Sequence, residues 1–239
     1  MSETDGTSRD GGAGDTVAVL DFGGQYTHLI ARRIRNLGVF SRVFEPEDFV
    51  PEEHPEVCGI VFSGGPGSVT EEGFRTVRFA PLGCAVPILG LCYGHQLLAR
   101  LCGGTVATDG RRGYGLAEVS FGSGEGKLFR GLPSSCKVWM SHGDHVETLP
   151  PRLTVTATTP TLPVAGFQDG AGRLFGLQFH PEVTHTRHGR EMLDNFLAAC
   201  RAPRTWNPRG QRARLVERIR REAGGRPLFL LISGGADSR

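Results

Sequence analysis

TVAVLDFGGQYTHLIARRIRNLG, residues 16–38, runs a strand, a glycine turn and a helix one after another. TVAVL is short, aliphatic and β-branched, as a strand buried on both faces must be. Beyond Gly23 and Gly24 the apolar residues Tyr26, Leu29, Ile30, Ile34 and Leu37 recur at helical spacing and share one stripe. SRVFEP (41–46) and GIVFSGGPGS (59–68) continue as strands, the second ending in another glycine turn. Strands alternating with helices predict an α/β domain, a mostly parallel central sheet flanked by helices. Ligands of such sheets collect at the carboxyl ends of strands. Glycine turns lie at such ends in FGGQ (22–25), SGGPGS (63–68), LGLCYG (89–94) and LLISGGADS (230–238).

After residue 113 the pieces shorten. GLAEVSF (115–121), CKVWMSHGD (136–144), LTVTATT (153–159), PVAGFQ (163–168) and GRLFGLQFHPE (172–182) read as additional antiparallel strands of the same domain. A helix at about 188–200 follows, carrying Met192, Leu193, Phe196 and Leu197.

A chain of 239 residues holds one sizeable core plus extra segments. No apolar run approaches the roughly 18 residues of a membrane span, so a soluble protein with no membrane partner is expected. MSETDGTSRDGGAGD (1–15) lacks the apolar core of a signal peptide and reads as a disordered tail. Cysteines at 58, 84, 92, 102, 136 and 200 form no C-x-x-C pair, which points to a reduced, cytoplasmic setting. The net charge is +2, yet residues 201–226 hold nine Arg against Glu217 and Glu222, a local +7 that leaves −5 elsewhere. Leu215, Val216 and Ile219 share a face there, so a basic linker with one amphipathic helix is the reading, and no nucleic-acid partner is expected.

GLCYGHQ (90–96) sits between the strand-like AVPILGL (85–91) and a helix carrying Leu97, Leu98 and Leu101, stopped by Gly103 and Gly104. Gly90 and Gly94 flank Cys92 as G-x-C-x-G, the thiol counterpart of a nucleophile elbow, which holds its side chain exposed at a helix N-terminus. A buried core thiol accounts for this stretch equally well; a partner base decides between them. GLQFHPE supplies one. Phe175–Phe179 reads as a buried strand, placing His180 at its carboxyl end, and Pro181 biases His180 toward extended backbone. Residues two apart then point the same way, so Glu182 can orient the imidazole. The product is a Cys92–His180–Glu182 constellation in which the thiol attacks, the imidazole moves the proton and the carboxylate steadies it. SGGPGS offers glycine N–H groups for an oxyanion and, with no lysine from 63 to 70, is no Walker-type phosphate loop.

A zinc hydrolase is the rival from another class, since His180, Glu182, His185 and His188 lie close in sequence to one another and SHGDH adds His142, Asp144 and His145. Pro181 disfavours the helical H-E-x-x-H placement that such a site uses, so no metal is expected. A non-catalytic domain that kept the fold has no need of all three triad residues. Tyr26, His28 and Trp139 read as packing residues, and Cys58 and Cys102 as inert core thiols.

VLDFGGQYTHLIARRIR, SGGPGS, GLCYGHQ, WMSHGD and GLQFHPEVTHT together resemble the class I glutamine amidotransferase family over about residues 16–200. HPEVTHT with CYGHQ is most similar to the branch that serves GMP formation. LLISGGADS resembles the loop that opens an ATP pyrophosphatase domain. The resemblance implies glutamine hydrolysis at Cys92 through a γ-glutamyl thioester, without a cofactor. It implies an oxyanion hole from the N–H groups of Gly65 and Tyr93, and glutamine held by Gln96, Ser141 and His142, with Asp144 serving either the ligand or the loop. In the complete enzyme ammonia would pass to XMP adenylated by ATP, with Mg²⁺ assisting; a homodimer is a compatible assembly. The implied organisation is a tail at 1–15, the amidotransferase domain at 16–200, the basic linker at 201–226 and the start of the pyrophosphatase domain at 227–239. Two departures stand out. Gly113 replaces the glutamate usual before the tyrosine, and Arg239 follows Asp237 and Ser238 where the family has Ser or Thr. A pyrophosphate loop of Ser233, Gly234, Gly235, Asp237 and Ser238 with no following helix is expected to support no ATP chemistry by itself.

Overall fold

The computed structural model describes residues 14–108, 110, 112–122, 126–227 and 229. The expected pyrophosphate loop, Ser233 to Ser238, and residues 1–13 of the expected tail lie outside them. The chain divides into two compact units between Thr205 and Trp206.

The first unit opens with β1 (Thr16–Leu20), α1 (Thr27–Asn36), β2 (Phe40–Phe44) and β3 (Val57–Phe62). β4 (Ile88–Leu91) and α2 (Tyr93–Leu101) follow, then β5 (Thr105–Ala107), β6 (Gly113–Phe121), β7 (Ser135–His142) and β8 (His145–Thr148). β9 (Leu153–Thr158), β10 (Gly166–Asp169), β11 (Leu174–Leu177) and α3 (Gly189–Ala199) complete it. Nine strands form one sheet in the order β2-β1-β3-β4-β11-β10-β9-β6-β7, while β5 and β8 pair separately. From β2 to β11 the pairings are parallel, and from β11 to β7 they are antiparallel.

Strands β1, β3, β4 and β11 are buried on both faces, and alternation along them divides the core. Val17, Val19, Val61, Leu89 and Phe175 meet Ile30 and Ile34 of α1 and Met192 and Phe196 of α3. Ala18, Leu20, Ile60, Phe62 and Ile88 meet Leu97 and Leu98 of α2 on the opposite face. Each such Val, Leu, Ile, Phe or Met side chain, fully removed from water, contributes about 1.5–3 kcal/mol. The stripe on α1 is narrower than its sequence pattern: Thr27, Ile30, Ala31 and Ile34 are buried, whereas Tyr26, Leu29 and Leu37 are half-buried at its margins.

The parallel pairings put the carboxyl ends of β1, β3, β4 and β11 on one edge of the sheet. Four successive antiparallel pairings then return β7 to the direction of β11, so Ser141 and His142 reach the same edge. β1 lies between β2 and β3, the reversal of strand order at which open sheets leave a crevice.

The second unit contains α4 (Pro208–Ala223). Asn207 caps it, its side chain accepting from the Gly210 N–H at 2.9 Å, and Gly224 ends it with φ 56°. Val216 and Ile219 are each 39% exposed. Among the described residues no helix is long and apolar enough to cross a membrane.

Candidate active site

The glycine turns converge. Gly23 to Tyr26 after β1, Gly64 to Ser68 after β3, Cys92, Tyr93 and Gln96 after β4, Ser141 to Asp144 around the end of β7, and His180 beyond β11 line one cleft of about 580 Å³.

Cys92 joins β4 to α2 with φ 51° and ψ −104°, a conformation that costs a non-glycine residue about 1–3 kcal/mol. Its neighbours make the bend sterically feasible. A Cβ at Gly90 would lie 2.3 Å from the Gly94 carbonyl oxygen, and one at Gly94 would lie 2.4 Å from that of Phe62. The Cys92 N–H donates to the Leu177 carbonyl at 2.8 Å and the Gly94 N–H to that of Ser63 at 3.1 Å, tying the elbow to β11 and to the end of β3. The expectation of an exposed thiol is corrected: Cys92 is 6% exposed, at the floor of the cleft, because flanking loops rise around it.

His180 reaches this thiol by a different route from an extended strand. β11 ends at Leu177, not Phe179: the Gln178 N–H donates to the Ala165 carbonyl, and the His180 N–H to that of Trp139 at 3.1 Å. Pro181 and Glu182 then form a turn, held where the Thr186 hydroxyl donates to the His180 carbonyl at 2.6 Å. Within that turn His180 Nδ1 and Glu182 Oε1 are 2.8 Å apart, both buried. Burial alone lowers the His180 pKa, but the charge of Glu182 and hydrogen bonds to Cys92 and Glu182 outweigh it and raise the value to about 11. The second Glu182 oxygen is buried with no hydrogen-bond partner among the described residues, so the carboxylate's charge is directed at the ring. Arg33 of α1 donates from Nε to the Glu182 backbone carbonyl at 2.8 Å, and the Tyr26 ring sits edge-on to His180 with centroids 5.1 Å apart.

Gly64 lies against both groups: a Cβ there would be 3.2 Å from His180 Cε1 and 3.7 Å from Cys92 Cβ. Among the described residues, neither the Gly65 nor the Tyr93 backbone N–H has a hydrogen-bond partner. On the far wall the Cys92 sulfur donates to the Ser141 carbonyl at 3.3 Å. His142 Nδ1 is 2.9 Å from the Asp144 carbonyl. Burial and the neighbouring His145 and His180 lower the His142 pKa, so its ring is neutral at physiological pH. Gly113 is part of this packing, since a Cβ there would lie 2.4 Å from His142 Nε2. The imidazole takes the space in which a longer side chain at 113 would begin. Gln96 directs its amide nitrogen to the Asp144 carbonyl at 2.7 Å and to Gln178 Oε1 at 3.2 Å. Asp144 thus meets both His142 and Gln96 through its backbone.

Of the histidines read as a rival metal set, His142 and His180 line the cleft, while His185 and His188 have other surroundings. His185 packs on the Trp139 ring at 5.0 Å, and His188 stands at the N-cap position of α3 without a side-chain capping bond. Among the described residues no group of three or more His, Cys, Asp or Glu is disposed to hold a metal. Cys58 and Cys102 are buried, and burial raises each thiol to about 11; it also raises Cys84, Cys136 and Cys200. Among the residues at the site that escaped the sequence reading as site residues are Gln178, Arg33, Arg112 and Glu71. Gln178 alone left a trace, a polar residue inside an apolar run.

The glutamine amidotransferase class-I family profile matches residues 18–200. A GMP synthase (glutamine-hydrolysing) of Aeropyrum pernix is 47% identical over 224 residues, 93% of this chain and 43% of that protein. The Bacillus cereus enzyme of the same name is 42% identical over 227 residues, 94% of this chain and 44% of its own length. The chain thus spans less than half the length of these curated relatives. A crystal structure from Thermoplasma acidophilum, provisionally described as one subunit of a GMP synthase, superposes with a TM-score of 0.69 at 32% identity, over 85% of this chain and 97% of that one. A Thermotoga maritima glutamine amidotransferase, 23% identical, shares the fold with a TM-score of 0.56 over 88% of this chain and 90% of its own. A matched family profile over most of the chain, and an elbow, histidine and carboxylate converging where that profile runs, make this chain a member of the class-I glutamine amidotransferase family.

Proposed function

We propose that the chain hydrolyses glutamine at Cys92 and supplies the ammonia for ATP-dependent amination of XMP to GMP. The observation that carries this reading is the strained Cys92 sharing one cleft with His180, both against Gly64, with His180 Nδ1 2.8 Å from the buried Glu182 carboxylate. His180 takes the thiol proton and the sulfur attacks the side-chain amide carbon of glutamine. The oxyanion is received by the Gly65 and Tyr93 N–H groups. His180 then gives its proton to the departing nitrogen, ammonia leaves, and the γ-glutamyl thioester remains. A water that passes its proton to His180 releases glutamate and restores the thiol. Glu182 keeps the ring oriented and stabilises its charged form. Ser141 and His142 supply the wall for the glutamine α-groups, and the Gln96 side-chain oxygen, whose amide nitrogen is already engaged, accepts from the α-ammonium.

The acceptor half of the reading rests on the relatives' names and on the GMP-branch motifs HPEVTHT and CYGHQ. The residues expected to meet ATP fall outside the described ones, so no step through ATP or Mg²⁺ is derived from this chain.

An electrophilic glutamine analogue is expected to label Cys92 before any other cysteine, with protection by glutamine. All six thiols are buried, but Cys92 alone among them lines the cleft beside His180, and burial raises the pKa of the other five. Peptide mass spectrometry reads the order; first labelling at Cys58 or Cys102 would reject the assignment. Mixing the chain with a separately produced synthetase domain, XMP, ATP and Mg²⁺ is expected to accelerate glutamine hydrolysis and yield GMP. Amination of a different acceptor would leave the glutaminase standing and remove the GMP assignment.

A further inference from the structure

The Cys92 sulfur has three neighbours with different preferences for its protonation state. The Ser141 carbonyl, 3.3 Å away, accepts and so favours the neutral thiol. His180 lines the same cleft and, in the mechanism proposed above, takes its proton. The third is the Gln178 side chain, fully buried, with its amide nitrogen 3.8 Å from the sulfur.

The orientation of that amide follows from a chain of contacts that begins at a backbone group. The Asp144 carbonyl can only accept, so the Gln96 group 2.7 Å from it is the NH₂. That NH₂ also meets Gln178 at 3.2 Å and requires an oxygen there. Gln178 must then turn its own NH₂ toward Cys92; the flipped amide would oppose two NH₂ groups and set a carbonyl oxygen against the sulfur. Asp144, at the β7–β8 turn, therefore sets the polarity of a donor on a segment 34 residues later. We propose that Gln178 is a positioning residue for the nucleophile: its amide stabilises the Cys92 thiolate against the Ser141 carbonyl, and the Asp144–Gln96–Gln178 relay keeps it facing that way. The proposal rests on the reading of Cys92 as the nucleophile. Hydrogen bonds to an ion are stronger than those to its neutral form, so the contact acts mainly on the ionised sulfur.

The relay also connects the wall proposed to hold the substrate to the attacking atom. A ligand that draws on the Gln96 oxygen strengthens the donor at its nitrogen, because linked hydrogen bonds polarise one another.

The test is the pH dependence of Cys92 alkylation by iodoacetamide, read by peptide mass spectrometry, with glutaminase kcat and KM measured on the same preparations. The other ionisable groups of the cleft are His180 with its partner Glu182, His142, Asp144, Arg112, Glu71 and the tyrosines Tyr26, Tyr93 and Tyr114, and all are retained in the variants. Gln178→Met keeps the side-chain length and removes the donor. It is expected to move the alkylation midpoint up by about one pH unit and lower kcat about tenfold, leaving KM within about twofold. Gln178→Glu, which places an acid beside the sulfur, is expected to move the midpoint further in the same direction. A folded Gln178→Met variant with an unchanged midpoint overturns the proposal; so does a loss carried wholly by KM, which marks a structural role. Should neither variant fold, the wild-type chain decides through its glutamine side-chain NH₂ resonances: one must titrate with the Cys92 midpoint, and none doing so overturns the proposal. Failure of the underlying reading looks different, because Cys92→Ala would then retain glutaminase activity whatever Gln178 does.

Discussion

Cys92→Ala is expected to lower glutamine hydrolysis by roughly 10⁴-fold or more while leaving the fold intact. The substitution removes one sulfur atom from a side chain at the floor of a cleft, so little packing is lost. Thiol chemistry is lost entirely, since neither Ser141 nor Tyr93 presents a nucleophile of comparable strength at that point. His180→Ala should come close to the same loss, because members of a triad act as a unit and their effects are not additive. Glu182→Gln should leave roughly a hundredfold more residual activity than His180→Ala, since the ring keeps its base while losing the charge that steadies its protonated form. Exhaustive chelation should leave glutaminase turnover unchanged. Steady-state ammonia release measures all four. Activity that persists in Cys92→Ala and disappears on chelation would return the site to metal chemistry; equal, complete losses in His180→Ala and Glu182→Gln would remove the role given to the carboxylate.

The second large effect is on stability. Gly94→Ala adds a methyl group 2.4 Å from the Phe62 carbonyl oxygen and 2.6 Å from Phe62 Cβ, with Phe62 fully buried at the end of β3. Neither neighbour is the free end of a flexible side chain, so α2 must lift from the sheet or β3 must shift. A loss of about 3–5 kcal/mol is expected, a large part of the 5–15 kcal/mol that typically holds a domain together. Gly83→Ala is the control, since a Cβ there meets nothing within 4 Å and its effect should stay within about 1 kcal/mol. Urea midpoints compare the two. A Gly94→Ala chain as stable as the control would mean that the close approach of α2 to β3 does not constrain the elbow.

These two expectations draw on different kinds of information. The unbroken aliphatic run of TVAVL, the helical spacing of apolar residues from Tyr26 to Leu37 and the glycines around Cys92 are local patterns. Short-range sterics and hydrophobic periodicity translate them directly into β1, α1 and the turn between β4 and α2. The pairing of His180 with Glu182 was legible for a related reason, because two residues so close in the chain need only a compatible backbone to meet. That backbone was not legible: the approach is made by a turn, whose conformation depends on Thr186 and on a strand contributed by Trp139. The seclusion of Cys92, the His142 ring in the space beside Gly113 and the NH₂ of Gln178 facing the sulfur belong wholly to the tertiary structure. Each depends on contacts between residues far apart in the chain, 29 positions for Gly113 and His142 and 86 for Cys92 and Gln178, and the orientation of a buried amide is decided by whichever carbonyl the fold happens to bring to its other end.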